Sequence, residues 1–217
     1  EAQHVVSTLR LVDNAAEQIQ LERILEASKP PLPVPAARLH YLLGTPYRYP
    51  APVGSRFRAP TEPGVWYGAE HVRTACAELG YWRWRFLTDS AGLTELGPAP
   101  QTVFQAGIDG RVVDLTQPPF VRERAQWTDP ADYAPTQHFA AAAREAGASA
   151  IRYESVRDPE HGAAVAVLRA EIFRPTRPLQ QQSWFLTVRQ ELVTWQREAE
   201  VMEFRYSRPE APAGGSR

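Results

Sequence analysis

The run GVWYGAEHVRTACAELGYWRWRF, residues 64–86, decides the fold class. Gly64 to Tyr67 reads as a short strand of β-branched and aromatic residues. Val72, Ala75, Leu79, Trp82 and Phe86 follow at once at offsets of 3, 4, 3 and 4, the period of a helix, and this stripe is expected to be its buried face. Glu78 stands on the flank of that stripe, where a carboxylate is expensive to bury unless paired. Cys76 points to a different face and reads as a core thiol.

Upstream, Asn14 and Glu17 have capping-box spacing, and Leu21, Ile24 and Leu25 repeat at helical intervals until Lys29-Pro30-Pro31 ends the pattern. Residues 1–37 therefore read as a helical extension. From Pro30 to Pro63 no period holds, yet Tyr41, Leu42, Leu43, Tyr47, Tyr49 and Phe57 mark an ordered loop packed on the core, not a linker. Downstream, Val103 to Leu115 contains β-like pieces broken by Asp109-Gly110, a hairpin-turn dipeptide. Asp132 to Ala146 reads as a helix ended by Gly147, and Ser149 to Ser155 as a strand. Ala163–Phe173, Trp184–Trp195 and Glu200–Tyr206 add β-like segments, the middle one with some helical character. Residues 38–208 thus form one domain, followed by a tail, 209–217, expected to be disordered. Helices that do not alternate strictly with strands argue for an α+β fold with a mixed or antiparallel sheet flanked by helices. Neither a GxGxxG nor a P-loop is present.

Composition narrows the partners. The 24 basic residues balance 25 acidic ones, so no global field would gather nucleic acid. No apolar run approaches the roughly 20 residues that span a bilayer, and the N-terminus lacks a secretory pattern, so membrane association is not expected and a cytoplasmic location is. One cysteine allows no internal disulfide, and five scattered histidines without ligand spacing point to no metal.

Three features suit chemistry. Arg48, Arg56 and Arg58 lie among aromatics and prolines in one loop, and a guanidinium fork suits bidentate phosphate binding; equally, these arginines could pair with carboxylates and brace the loop. Glu78 is the second feature, with a structural salt bridge as its alternative. The third is Ile151-Arg152-Tyr153-Glu154-Ser155-Val156-Arg157-Asp158, a strand entering a polar turn where Ser155 could bond a ligand or simply shape the turn. A serine hydrolase is disfavoured, because no G-x-S-x-G surrounds Ser155 and no histidine is placed by sequence to activate it.

Arg56 in GSRF, Tyr67 in VWYG, Glu78 in TACAE and Ser155 in IRYESVRDP, with steps of 11 residues from Arg56 to Tyr67 and again to Glu78, resemble the RES-domain family of bacterial toxins. The resemblance covers roughly Arg38 to Phe173, and LHYLLGTPYRYP, containing Arg48, is similar to a recurrent subgroup. Phe57 stands where many members carry Trp, Arg58 adds a charge, and the spacing from Arg48 to Arg56 is short. The resemblance implies an ADP-ribosyltransferase-like fold and consumption of NAD+ as substrate. It also implies neutralisation by a cognate Xre-type antitoxin that blocks the site, with a protein target, phosphate or water accepting ADP-ribose. On that reading Arg56, Tyr67, Glu78 and Ser155 are catalytic, with the carboxylate of Glu78 stabilising positive charge on the ribose. Arg48 and Arg56 would hold the pyrophosphate, Tyr67 would stack on the ligand, and Ser155 would bond the nicotinamide amide or ribose. A noncatalytic nucleotide-binding or interaction protein is the alternative.

Overall fold

The computed structural model describes residues 11–50 and 52–207; the tail expected to be disordered lies outside them. Helix α1 (Ala15–Ser28) begins as its sequence dictates: Asn14 Oδ1 accepts the Glu17 N–H at 2.9 Å, and Asn14 Nδ2 donates to the Glu17 carboxylate at 2.7 Å. Its apolar face is only partly covered, with Leu21 and Leu25 half-buried and Ile24 exposed. The proline-rich segment is ordered, as expected. Single turns at Val34–Ala36 and Thr45–Tyr47 flank the short α2 (Tyr41–Gly44), and Leu43 and Phe57 are fully buried.

Strand β1 (Trp66–Ala69) leads into α3 (Val72–Asp89), then β2 (Glu95–Gln105), β3 (Val112–Asp114), the short α4 (Arg124–Trp127) and α5 (Ala134–Glu145). β4 (Ala150–Glu154), β5 (Ala163–Val167), β6 (Gln180–Arg189), β7 (Val193–Arg197) and β8 (Glu200–Phe204) complete the chain. The strands form two four-stranded sheets, ordered β1-β5-β4-β3 and β2-β6-β7-β8. The first is mixed, because β3 runs parallel to β4, and the second is antiparallel throughout. The fold is α+β. Gly147, at φ +80°, ends α5 as its position foretold.

Three expectations fail. Asp109-Gly110 does not turn a hairpin, since β2 pairs with β6 in one sheet and β3 with β4 in the other. The Asp109 N–H instead donates to the Ile172 carbonyl at 2.8 Å, Ile108 bridges to Phe173, and a Cβ on Gly110 would stand 2.7 Å from Ile172. The dipeptide is a crossover pressed against Ile172, and long-range pairing overrides the local turn signal. The helical character allowed for 184–195 is also absent: β6 and β7 are a hairpin there, with Trp184, Leu186 and Val188 alternately buried.

The helix α3 is where expected, but its buried face is not. Cys76, Ala77, Gly80, Tyr81, Trp84 and Leu87 face the second sheet, packing on Trp184, Leu186, Val193, Trp195 and Phe204. Leu79, Trp82 and Phe86, expected inside, are 38%, 53% and 56% exposed. Apolar residues occupy both sides of this helix, so period alone could not choose between them. Close approach chooses: a Cβ at Gly80 would stand only 3.1 Å from Val193 and 3.3 Å from the Trp195 indole nitrogen, which Gly80 avoids. On the buried side Trp84 Nε1 donates to the Gln190 carbonyl at 2.8 Å. That packing turns Thr74, Glu78 and Tyr81, one helical stripe, toward the β4–β5 turn.

Candidate active site

Three of the residues singled out from sequence, Arg56, Glu78 and Ser155, come together where α3 meets the turn after β4. Ser155 is fully buried, and its N–H donates to the Gly162 carbonyl at 2.9 Å, which closes the turn. Its hydroxyl donates to Glu78 Oε1 at 2.5 Å and accepts the backbone N–H groups of Arg157 and Asp158 at 3.2 and 3.1 Å. A serine hydroxyl has one proton and two lone pairs. All three are used here, so Ser155 addresses Glu78 and not an open ligand position.

Arg56 is 8% exposed. Its Nη1 donates to the Trp127 carbonyl at 2.9 Å, its guanidinium lies 4.6 Å above the Tyr133 ring, and its backbone carbonyl accepts from the Thr136 hydroxyl. Its Nη2 is buried with no hydrogen-bond partner. A second guanidinium, Arg157, stacks 3.8 Å over Tyr81 and donates to the Pro130 carbonyl at 2.7 Å and the Tyr133 hydroxyl at 3.2 Å. Burial raises the Glu78 carboxyl above its ordinary range; the Ser155 hydrogen bond, Arg157 and Arg56 pull it down, and Asp158 adds to the rise. Desolvation wins, although two cations stand nearby.

Tyr67 acts on the loop before β1. Its hydroxyl lies 2.8 Å from Ser55 Oγ and accepts the Phe57 N–H at 3.0 Å, while Gln137 donates to the Ser55 carbonyl at 2.9 Å. The stretch GSRF is thereby fixed, and Arg56 with it. Burial raises the Tyr67 phenol above its usual value, although part of the ring remains exposed.

Arg48 is not brought into this network. Its Nη2 donates to Glu26 on α1 at 2.7 Å, and its Nε is buried without a partner. Arg58 donates to the Val53 carbonyl at 2.6 Å and so ties the loop to itself. Cys76 is a core thiol as expected, pushed up to about 12 by burial, which rules against a thiolate nucleophile.

Tyr133, Trp127, Thr74 and Asp158 escaped the sequence reading. Of these only Asp158 carried a signal, lying three residues after Ser155 in the quoted turn, as Arg157 lies two after it. Tyr133 precedes α5 and has no local mark at all.

Among the described residues, no group of three or more His, Cys, Asp or Glu could hold a metal ion, and no helix is long and apolar enough to cross a membrane. A cavity of about 150 Å³ is lined by Arg124, Trp127 and Glu154 among others, and the Trp127 carbonyl also accepts from Arg56. No curated protein matches the chain. The family model described as "RES domain" does, over residues 32–189, and with most of the chain covered the protein belongs to the RES-domain family.

Proposed function

We propose that this protein is an NAD+-cleaving transferase that acts as the toxin of a bacterial toxin–antitoxin pair, a setting in which RES domains are known. One observation carries the reading: a half-buried carboxylate, Glu78, held by Ser155, lies near a buried guanidinium with an unpartnered Nη2, Arg56, held by Trp127 and Tyr133. An orphaned buried donor is costly, about 1–3 kcal/mol or more for a charged group, unless a ligand supplies the acceptor. A phosphate oxygen of the dinucleotide is such an acceptor.

The bond that breaks joins the nicotinamide nitrogen to the ribose anomeric carbon. Nicotinamide leaves with the bonding pair, and the sugar becomes cationic. The Glu78 carboxylate stabilises that charge, and an acceptor oxygen or side chain then bonds to the same carbon and gives up its proton. A carboxylate that is costly to ionise in the empty site gains most when a cation forms beside it, so the stabilisation is concentrated in the transition state. Ser155 orients Glu78, and Tyr67 fixes the Arg56 loop. Arg48 supplies a second guanidinium once the phosphate displaces Glu26; a surface ion pair is weak enough to exchange.

The acceptor is a protein side chain, phosphate or water. The ADP-ribosyltransferase-like arrangement, the cytoplasmic location and a cognate Xre-type antitoxin covering the site belong to the same proposal. The test is nicotinamide release from NAD+ by the antitoxin-free protein, with and without phosphate, beside Glu78→Ala. Release by wild type alone supports the reading, and phosphate dependence identifies phosphorolysis. NAD+ binding without release, with lysate present as an acceptor source, would leave a noncatalytic nucleotide-binding protein.

A further inference from the structure

The two polar contacts between α3 and the β4–β5 turn form one device. Thr74 and Glu78 are four residues apart on α3 and so share a face. Thr74, 1% exposed, donates its hydroxyl to Asp158 Oδ2 at 2.7 Å, and Asp158, 2% exposed, donates its backbone N–H to Ser155 Oγ at 3.1 Å. Asp158 Oδ1 accepts the Glu160 N–H at 3.1 Å, and Arg73 Nε lies 3.7 Å from it. Gly162 closes the turn with no room to spare: a Cβ there would stand 2.1 Å from Thr74 Oγ1 and 2.9 Å from Asp158 Oδ2. Asp158 is therefore tied to the helix by its side chain and to Ser155 by its backbone.

We propose that Thr74 and Asp158 are positioning residues, a clamp that holds the turn in the one arrangement in which the Ser155 lone pairs are filled by backbone N–H groups and its proton is left for Glu78. If the turn relaxes away from α3, the Asp158 N–H withdraws and the serine hydroxyl is free to rotate. Glu78 then loses the hydrogen bond that favours its ionised form. The other groups acting on Glu78 are Arg56 from the loop before β1 and Arg157 and Asp158 from the turn; Tyr153 on β4 and Tyr206 beyond β8 also feel its charge. None of these hydrogen-bonds the serine hydroxyl through its side chain. The catalytic consequence of the clamp rests on the NAD+-cleaving reading, whereas its effect on Glu78 does not.

Thr74→Val keeps the side-chain shape and removes only the donor, and Thr74→Ser restores the donor. Titrating the Glu78 carboxyl by ¹³C NMR without NAD+ should show a shift to higher pH in Thr74→Val and a return in Thr74→Ser. In nicotinamide release, Thr74→Val should lower kcat about tenfold with KM for NAD+ within about twofold, since a hydrogen bond to a charged group is at stake and no ligand contact. An unmoved Glu78 titration in folded Thr74→Val, or a loss not restored by Thr74→Ser, would overturn the clamp. Should wild type release no nicotinamide, the functional reading fails and the NMR arm still decides the clamp.

Discussion

The guanidinium of Arg56 lies 4.6 Å above the ring of Tyr133, a residue 77 positions away. The ring holds the planar cation from one face while Trp127 holds one edge, which leaves Nη2 buried without a hydrogen-bond partner. Arg56→Lys replaces a planar fork by a point charge that neither stacks as well nor binds bidentately. It should raise KM for NAD+ at least about tenfold, whereas Tyr133→Leu, which removes a cation–π contact of ~0.5–2 kcal/mol, should raise it about threefold to tenfold. Steady-state nicotinamide release reads both, and an unchanged KM in Arg56→Lys would remove Arg56 from the ligand site.

Tyr67→Phe should act on stability before chemistry. It deletes the acceptor of the Phe57 N–H and the partner of Ser55 at a loop that is otherwise well packed. The orphaned donor costs about 1–3 kcal/mol, which for a chain of this size lowers Tm by roughly 3–10 °C. Thermal and urea unfolding measure it. A Tm equal to that of wild type would mean that the loop keeps its shape without the phenol.

On the proposed reaction, the Glu78 carboxyl makes activity and stability run in opposite directions with pH. Its titration in the fold lies above the ordinary value of 4.5 because it is buried. Through the window between the two values the folded chain keeps a proton that the unfolded chain has lost, so stability falls as pH rises. The proposed reaction needs the ionised form, so on that reading activity rises with pH over that window. Glu78→Gln, which cannot ionise, should be more stable than wild type at pH 7, with the difference vanishing below about pH 4, where both chains are neutral at this position. Urea melts across pH test this, and an acid limb of kcat at the ordinary carboxyl value would contradict it.

Arg48 and Glu26 allow a paired test. The Glu26 carboxyl is held down at about 2 by the hydrogen bond from Arg48 and the one from Lys29. If Arg48 turns to the phosphate on binding, Glu26→Gln should lower KM for NAD+ and Arg48→Ala should raise it by about threefold to tenfold. KM unchanged in both variants would leave Arg48 as a brace between the loop and α1.

What the sequence determined by itself is local. The Asn14–Glu17 start of α1, the Gly147 end of α5 and the strand before Ser155 depend on hydrogen bonds and φ angles within a few residues, so they are legible in order. The family motif named Arg56, Tyr67, Glu78 and Ser155 as residues but not what each touches. Only the tertiary structure decided which face of α3 is buried, because both are apolar and the sheet accepts the one with Ala77 and Gly80 at close approach. It alone undid the Asp109-Gly110 hairpin, through pairing with Ile172 and Phe173, and it alone brought Tyr133 to Arg56 and Thr74 to Asp158. Those contacts join segments tens of residues apart, and the burial that raises Glu78 is a property of the assembled core, so no local pattern encodes either.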